Sequence, residues 1–321
     1  MVVAVSRPAA AEAPSTGDAL EILSVDLLDE HRPLVTELAS LADELGIGLG
    51  WHYLLDLAWI ISRLESPPAT VLDAGAGAGI LQWYLAGKGW KVISVDRVSR
   101  RHLPARFRSR YRVQGLRSKD LARLPSRRRA LVRRLLGEVR GLEGLVTAVR
   151  HGYRPRLASP AAPGRRRLTT GTGEVLIYNQ DLRSLSDIAD GSIDEIVSVS
   201  ALEHNTPDGL QEVVAELLRV LRPGGRIIAT LVASDRDDWY HEPARAWCYS
   251  ESTMRRIFKL DESVRANYDQ YNRLLESLRA NDELRANLAA FYYRSDANGM
   301  PWGRWDPQYQ TLGVCKVKSL T

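Results

Sequence analysis

The sequence predicts an α/β fold, helices packed on a β-sheet, interrupted by a basic helical insertion. Two observations carry this. Residues 69–97 read as a buried strand, a glycine turn, a helix and a second strand. Charge is also segregated: residues 97–170 hold 22 Lys and Arg against 3 Asp and Glu, a net +19, whereas the rest holds 22 against 36, a net −14, and the two nearly cancel in an overall +5. At 321 residues with 45% hydrophobic content, the chain is long enough for one large core with appendages.

Residues 1–18 are rich in alanine, proline and small polar residues with no apolar period, so a disordered tail is expected. Over 19–66 two helical stripes follow, Leu34, Leu38 and Leu41, then Tyr53, Leu54, Leu57 and Ile61, stopped at Ser66-Pro67-Pro68. They are expected to cap the mouth of a site. Trp51, His52 and Tyr53 read first as core aromatics and second as ligand contacts.

The glycine turn is Asp73-Ala74-Gly75-Ala76-Gly77-Ala78-Gly79. Glycine is required where a chain turns sharply out of a strand, or where a ligand approaches the backbone too closely for a Cβ. A dinucleotide site calls for Gly-x-Gly-x-x-Gly, and this run does not provide it: the third glycine would fall on Ile80 or Gln82. An acid, Asp73, precedes the first glycine instead. A carboxylate there repels pyrophosphate at the helix N-terminus but suits an ammonium or sulfonium, so the expected ligand is cationic.

The insertion spans 98–170. Leu131, Leu135, Val139, Leu142, Val146 and Val149 recur at steps of four and three with arginines between them, the pattern of an amphipathic basic helix. Gly137, Gly141 and Gly144 each weaken it by up to about 1 kcal/mol relative to alanine, so its apolar stripe needs a surface to pack on, and a docked lid is expected. Its arginines suit an anionic membrane surface, a phosphorylated or pyrophosphate-linked acceptor, or nucleic acid. Only Phe107, Tyr111 and Tyr153 are aromatic here, few for stacking single strands, which disfavours nucleic acid. Cys248 and Cys315 make neither a disulfide framework nor a metal cluster, and no apolar run is long enough to span a membrane or serve as a signal core. A reducing cytoplasm is therefore expected.

Later segments extend the pattern: Tyr178-Asn179-Gln180-Asp181-Leu182, Ile193 to Ser200 followed by Ala201-Leu202-Glu203-His204, and Leu221-Arg222-Pro223-Gly224-Gly225-Arg226 leading into Ile227 to Val232. With the glycine turn and the strand ending at Asp96, these five segments in this order resemble the class I S-adenosylmethionine-dependent methyltransferases. The resemblance covers residues 67–97 and 171–321, and implies a Rossmann-like, mostly parallel seven-stranded sheet closed by an antiparallel strand at Thr311 to Val317. It implies S-adenosyl-L-methionine as cofactor. Gly75, Gly77 and Gly79, with Asp73, would wrap its amino acid end, Asp96 would bind the ribose hydroxyls and Asp181 the adenine amino group.

Within that resemblance the reaction expected is methylation of a hydroxyl on a small molecule or glycan. A hydroxyl needs a base, and histidine titrates near neutrality, so His204 is the first candidate, with Glu203 orienting it and His241 and Glu242 as alternatives. A structural strand-end role for Glu203 and His204 is the competing reading. No metal is expected, although Glu203, Asp237 and Asp238 are faintly similar to the magnesium-binding acids of some sugar and catechol methyltransferases. The alternatives are an RNA methyltransferase gripping phosphates through the insertion, and a cofactor-binding protein without turnover. A helix-rich stretch including Val264 to Leu288, then aromatics Phe291-Tyr292-Tyr293 and Trp302 to Trp305, complete the chain.

Overall fold

A computed structural model describes residues 17–64, 69–123, 173–295 and 304–320, with the side chains of 290–295 left out. The stripe from Leu131 to Val149, Trp302 and nearly all of the tail expected over residues 1–18 lie outside these residues.

The elements follow in chain order: β1 (Ala19–Ile22), α1 (Leu27–Glu30), α2 (Arg32–Leu45), α3 (Tyr53–Arg63), β2 (Thr70–Ala74), α4 (Leu81–Gly87), β3 (Lys91–Asp96), α5 (Ala105–Arg110) and β4 (Arg112–Gly115). Then come β5 (Glu174–Asn179), β6 (Ile193–Val199), a 3-10 turn (Leu202–His204), α6 (Pro207–Val220), β7 (Leu221–Ala233), β8 (Trp239–His241) and β9 (Ala246–Tyr249). The last are α7 (Glu251–Phe258), a 3-10 turn (Tyr268–Gln270), α8 (Tyr271–Arg279), α9 (Asp282–Ser295) and β10 (Gln310–Val317).

The helix boundaries obey local chemistry. Helix α2 starts with proline in its first turn and stops at Gly46, whose φ of 61° closes the C-terminus in the left-handed conformation. Helix α6 starts at Thr206, whose hydroxyl accepts the Gly209 N–H at 3.2 Å, with Pro207 filling the first helical position.

The sheet runs β1-β10-β7-β6-β2-β3-β5-β4, ten strands in all with β8 and β9 joined to β7. Strands β2, β3, β5, β6 and β7 are parallel neighbours, and β10 returns antiparallel to β7 as the resemblance implied. The path from β1 to β5 makes seven strands; β4, β8 and β9 add three. Three segments differ from expectation. Residues 19–22, placed among the cap helices by the sequence, form edge strand β1, because Leu20 and Ile22 alternate with Ala19 and Glu21 and bury their side chains against β10. Within the basic insertion, Arg112–Gly115 pairs in parallel with β5 and so extends the sheet edge. Pro223-Gly224-Gly225, read as a turn before a strand, lies inside β7 as an irregularity: Ile193 pairs with Leu221 and Glu195 with Arg226, so the chain between bulges out, with Gly224 at φ 73°.

Two apolar layers sandwich the sheet. Leu38, Leu55, Trp59, Trp83 and Phe107 of α2 to α5 pack on one face, Trp83 stacking on Phe107 with centroids 4.7 Å apart. Val213, Leu217, Met254, Phe258 and Leu275 of α6 to α8 pack on the other. Cys248 and Cys315 are buried free thiols, and burial pushes the Cys315 thiol up to about 11. No described helix is long and apolar enough to cross a membrane.

Strand β10 packs closely on α3, where a Cβ on Gly313 would lie 2.4 Å from the ring of fully buried Trp59. Gly313→Ala is therefore expected to destabilise the fold by about 1–3 kcal/mol through overpacking, read as a lowered thermal midpoint. An unchanged midpoint would mean that α3 can move away from the sheet.

Candidate functional site

Parallel strands place their C-terminal ends on one edge, where loops after β2, β3, β5 and β6 converge. Those loops enclose a cavity of about 960 Å³. Gly75, Gly77 and Gly79 form its floor, Asp73, Asp96 and Asp181 its acids, and Ile47, Tyr53 and Leu57 approach from the N-terminal segment. Every cofactor-binding residue expected from the sequence lines this one space.

The glycines have local reasons. Gly75 sits at φ +76° and its Cβ would meet the Ala201 Cβ at 2.4 Å, so the loops after β2 and β6 can touch only with glycine there. Gly77, at φ +46°, donates its N–H to Asp96 Oδ2 at 2.8 Å, while Asp96 Oδ1 accepts from the Val98 N–H at 2.7 Å. The acid ending β3 thereby clamps the glycine loop from the side.

Asp73 is 3% exposed and accepts the Gln82 backbone N–H near the start of α4. Burial pushes its carboxyl up to about 7; Arg100 pulls it down and Asp96 pushes it up again. Asp181 holds Arg183 at 2.9 Å and is kept below the usual carboxylate range mainly by that arginine.

His204 lines the cavity, and its Nδ1 lies 2.9 Å from the Arg245 carbonyl oxygen. Its neighbour Glu203 points elsewhere: it is 3% exposed, and burial raises its carboxyl pKa while His204 and His52 pull the other way. The strand end before them is strained, because Ser200 takes φ 44°, and that turn delivers His204 to the cavity. His241 is not among the lining residues. It is 3% exposed, packs edge-on to Trp239 and Tyr309, and its Nδ1 accepts the Ala244 N–H at 3.2 Å, with burial lowering its pKa. The structure therefore brings His204 to the cofactor loops and separates His241 from them.

Of the acids after β7, Asp238 has a structural duty. Asp238 accepts the Ser250 N–H and the Thr253 hydroxyl, both at 2.7 Å, at the start of α7. Among the described residues no group of three His, Cys, Asp or Glu side chains is placed to hold a metal. Of the early aromatics, Tyr53 lines the cavity, whereas His52 pairs with buried Asp56 at 2.6 Å and Trp51 packs on Trp305 and Tyr309.

Two participants escape sequence reasoning. Arg100 reads as one more positive charge of the insertion, yet it sits behind the glycine loop. Arg245 contributes through a carbonyl, which every residue carries. No side-chain pattern marks either.

Residues 51–266 match a family model described as a methyltransferase domain. The chain belongs to this family: it is a class I methyltransferase whose cofactor is S-adenosylmethionine. No curated protein matches the chain. Similar solved structures include 1,6-didemethyltoxoflavin N1-methyltransferase of Burkholderia thailandensis with S-adenosylhomocysteine bound, at 16% identity over 92% of this chain and 85% of that one, TM-score 0.37. Geranyl diphosphate C-methyltransferase of Streptomyces coelicolor A3(2) is 12% identical over 91% and 82%, TM-score 0.40. The 4+2 cyclase SpnF is 14% identical over 96% and 100%, TM-score 0.47.

Proposed function

We propose that the protein methylates a hydroxyl of a small molecule or glycan, with His204 as the base. The observation that carries this reading is that His204 lines the same cavity as the glycine loop and has its Nδ1 committed to a carbonyl. A carbonyl oxygen only accepts, so in the neutral ring Nδ1 carries the proton and Nε2 keeps the lone pair. An imidazole held in that tautomer can take a proton from a bound hydroxyl.

The cofactor supplies an activated methyl on a sulfonium sulfur. This chain's residues do the rest. Gly75, Gly77 and Gly79 would give the amino acid end a close backbone approach, Asp73 an acid for its ammonium, Asp96 acceptors for the ribose, and Asp181 an acceptor for the adenine amino group. Ile47, Tyr53 and Leu57 would exclude water from the reacting end. Glu203 supports the His204 turn from within. The two buried thiols suit a reducing cytoplasm.

A second reading adds a phosphate to the acceptor, because Arg97, His102 and Arg106 line the same cavity and an arginine fork pairs with phosphate bidentately. One experiment addresses both: cell extract is incubated with the protein and isotopically labelled cofactor, and products are read by mass spectrometry. A labelled methyl ether is the expected product, and a phosphate on it would favour the second form. A label on nitrogen or carbon, or no product from protein that binds the cofactor, would reject hydroxyl methylation.

A further inference from the structure

Arg100 belongs to no element and lies in the stretch that leaves β3, but its side chain turns back under the glycine loop. The backbone N–H of Arg100 donates to Asn179 Oδ1 at 2.8 Å, fixing where the side chain starts. Its Nη2 donates to the Ser94 carbonyl at 2.6 Å and the Tyr178 carbonyl at 3.3 Å, bridging the ends of β3 and β5. Its Nη1 donates to the Ser94 hydroxyl and, at 3.4 Å, to the Gly77 carbonyl. One planar guanidinium thus ties two strand ends to the central glycine of the loop. Lysine, with a single nitrogen, could not span these acceptors.

Charge gives the same side chain a second role. Asp73 is buried and Asp96 lines the same cavity, and two carboxylates so placed repel each other. The groups facing Asp73 are Arg100 and Asp96 from the β3 side and the Gln82 backbone N–H from α4. From the β6 side come Ser198, bonded to the Ala74 carbonyl, and Ala201 against Gly75, neither charged. Arg100 is the one cation in that set.

We infer that Arg100 is a positioning residue of the cofactor site, holding Gly77 between the ends of β3 and β5 and supplying the positive charge that Asp73 and Asp96 share. The inference rests on the cofactor reading above. Geometry and charge have separable consequences. Without the fork, the loop amide that meets Asp96 loses its backing. Without the charge, Asp73 takes up its proton more readily and no longer attracts an ammonium.

Calorimetric titration with S-adenosylhomocysteine between about pH 6 and about pH 9 tests this. In the wild-type protein, affinity should climb as pH rises through about 7, where Asp73 loses its proton. Arg100→Gln should weaken binding by about tenfold to a hundredfold and move the rising limb to higher pH. Arg100→Lys should return the rising limb to its wild-type place while recovering only part of the affinity. Asp73→Asn should remove the rising limb altogether.

Wild-type affinity and an unmoved limb in Arg100→Gln would overturn the inference alone, as would equal losses in Arg100→Gln and Arg100→Lys with neither limb moved, or a rising limb surviving in Asp73→Asn. A wild-type protein that binds neither S-adenosylhomocysteine nor S-adenosylmethionine would overturn the cofactor reading and this inference with it.

Discussion

Asp96→Ala is expected to weaken S-adenosylhomocysteine binding by about a hundredfold or more, measured by calorimetry. The carboxylate accepts the Gly77 and Val98 N–H groups at 2.8 and 2.7 Å, so its removal leaves two loop donors without their partner before any ligand is considered. Hydrogen bonds to charged groups contribute about 1.5–3 kcal/mol each, and about 1.4 kcal/mol is tenfold in affinity. Even if water recovers part of that, losing the ribose contact as well carries the total to about 3 kcal/mol. Asp96→Asn separates the contributions, because its amide presents an oxygen to one N–H but an NH₂ to the other. It should lose less than alanine and more than nothing. Equal affinity in all three proteins would show that neither the loop clamp nor a ribose contact from Asp96 contributes to cofactor binding.

What was legible beforehand follows from how local each cause is. The glycine loop, the acid at the end of β3 and the aspartate after β5 are marked by residue types that only a few backbone settings require, and all of them line one cavity. The apolar half of strand β7 was readable too, as the run Ile227 to Val232 after Pro-Gly-Gly, whereas helix α6 was not singled out. Strand β1 was not readable, because four residues of alternating burial give too short a pattern to separate from the helical stripe behind them. Nor could spacing show which histidine reaches the cofactor loops. His204 comes after β6 and His241 after β7 in the sequence, and only the strained turn at Ser200 and the packing of His241 between Trp239 and Tyr309 tell them apart. Arg100 was hidden by composition: in a stretch with a net +19, one arginine folded back under the glycine loop looks like all the solvated ones.

The charge segregation also gains meaning from the part of the insertion that is described. Arg117 bridges Asp120 at 2.9 Å and Asp187 at 3.2 Å and donates to the Asn179 carbonyl at 2.8 Å. Arg110 pairs with Glu44 of α2 at 2.7 Å. The pairs with Asp187 and Glu44 show basic residues after β3 meeting the acidic body within the chain. The part-exposed Arg117–Asp187 and Arg110–Glu44 pairs contribute little to stability, about 0–1 kcal/mol, so they favour one placement of the segment more than they strengthen the fold.

Replacing the candidate base has the largest expected effect on turnover. His204→Asn should slow labelled methyl transfer about a hundredfold while leaving S-adenosylhomocysteine affinity within about twofold, because general-base catalysis contributes about 10²–10⁴. Asparagine is chosen because its NH₂ can still donate to the Arg245 carbonyl, which keeps the loop anchored and isolates the loss of the Nε2 lone pair. The deficit should shrink as pH rises, since hydroxide can remove the acceptor's proton when the protein no longer does. His204→Ala, which loses the anchor as well, should be slower still and should not recover as fully. Full activity in His204→Asn would mean that the methyl acceptor needs no base, as expected for a nitrogen or carbon nucleophile that is already reactive. The hydroxyl assignment would then fall while the cofactor site stands.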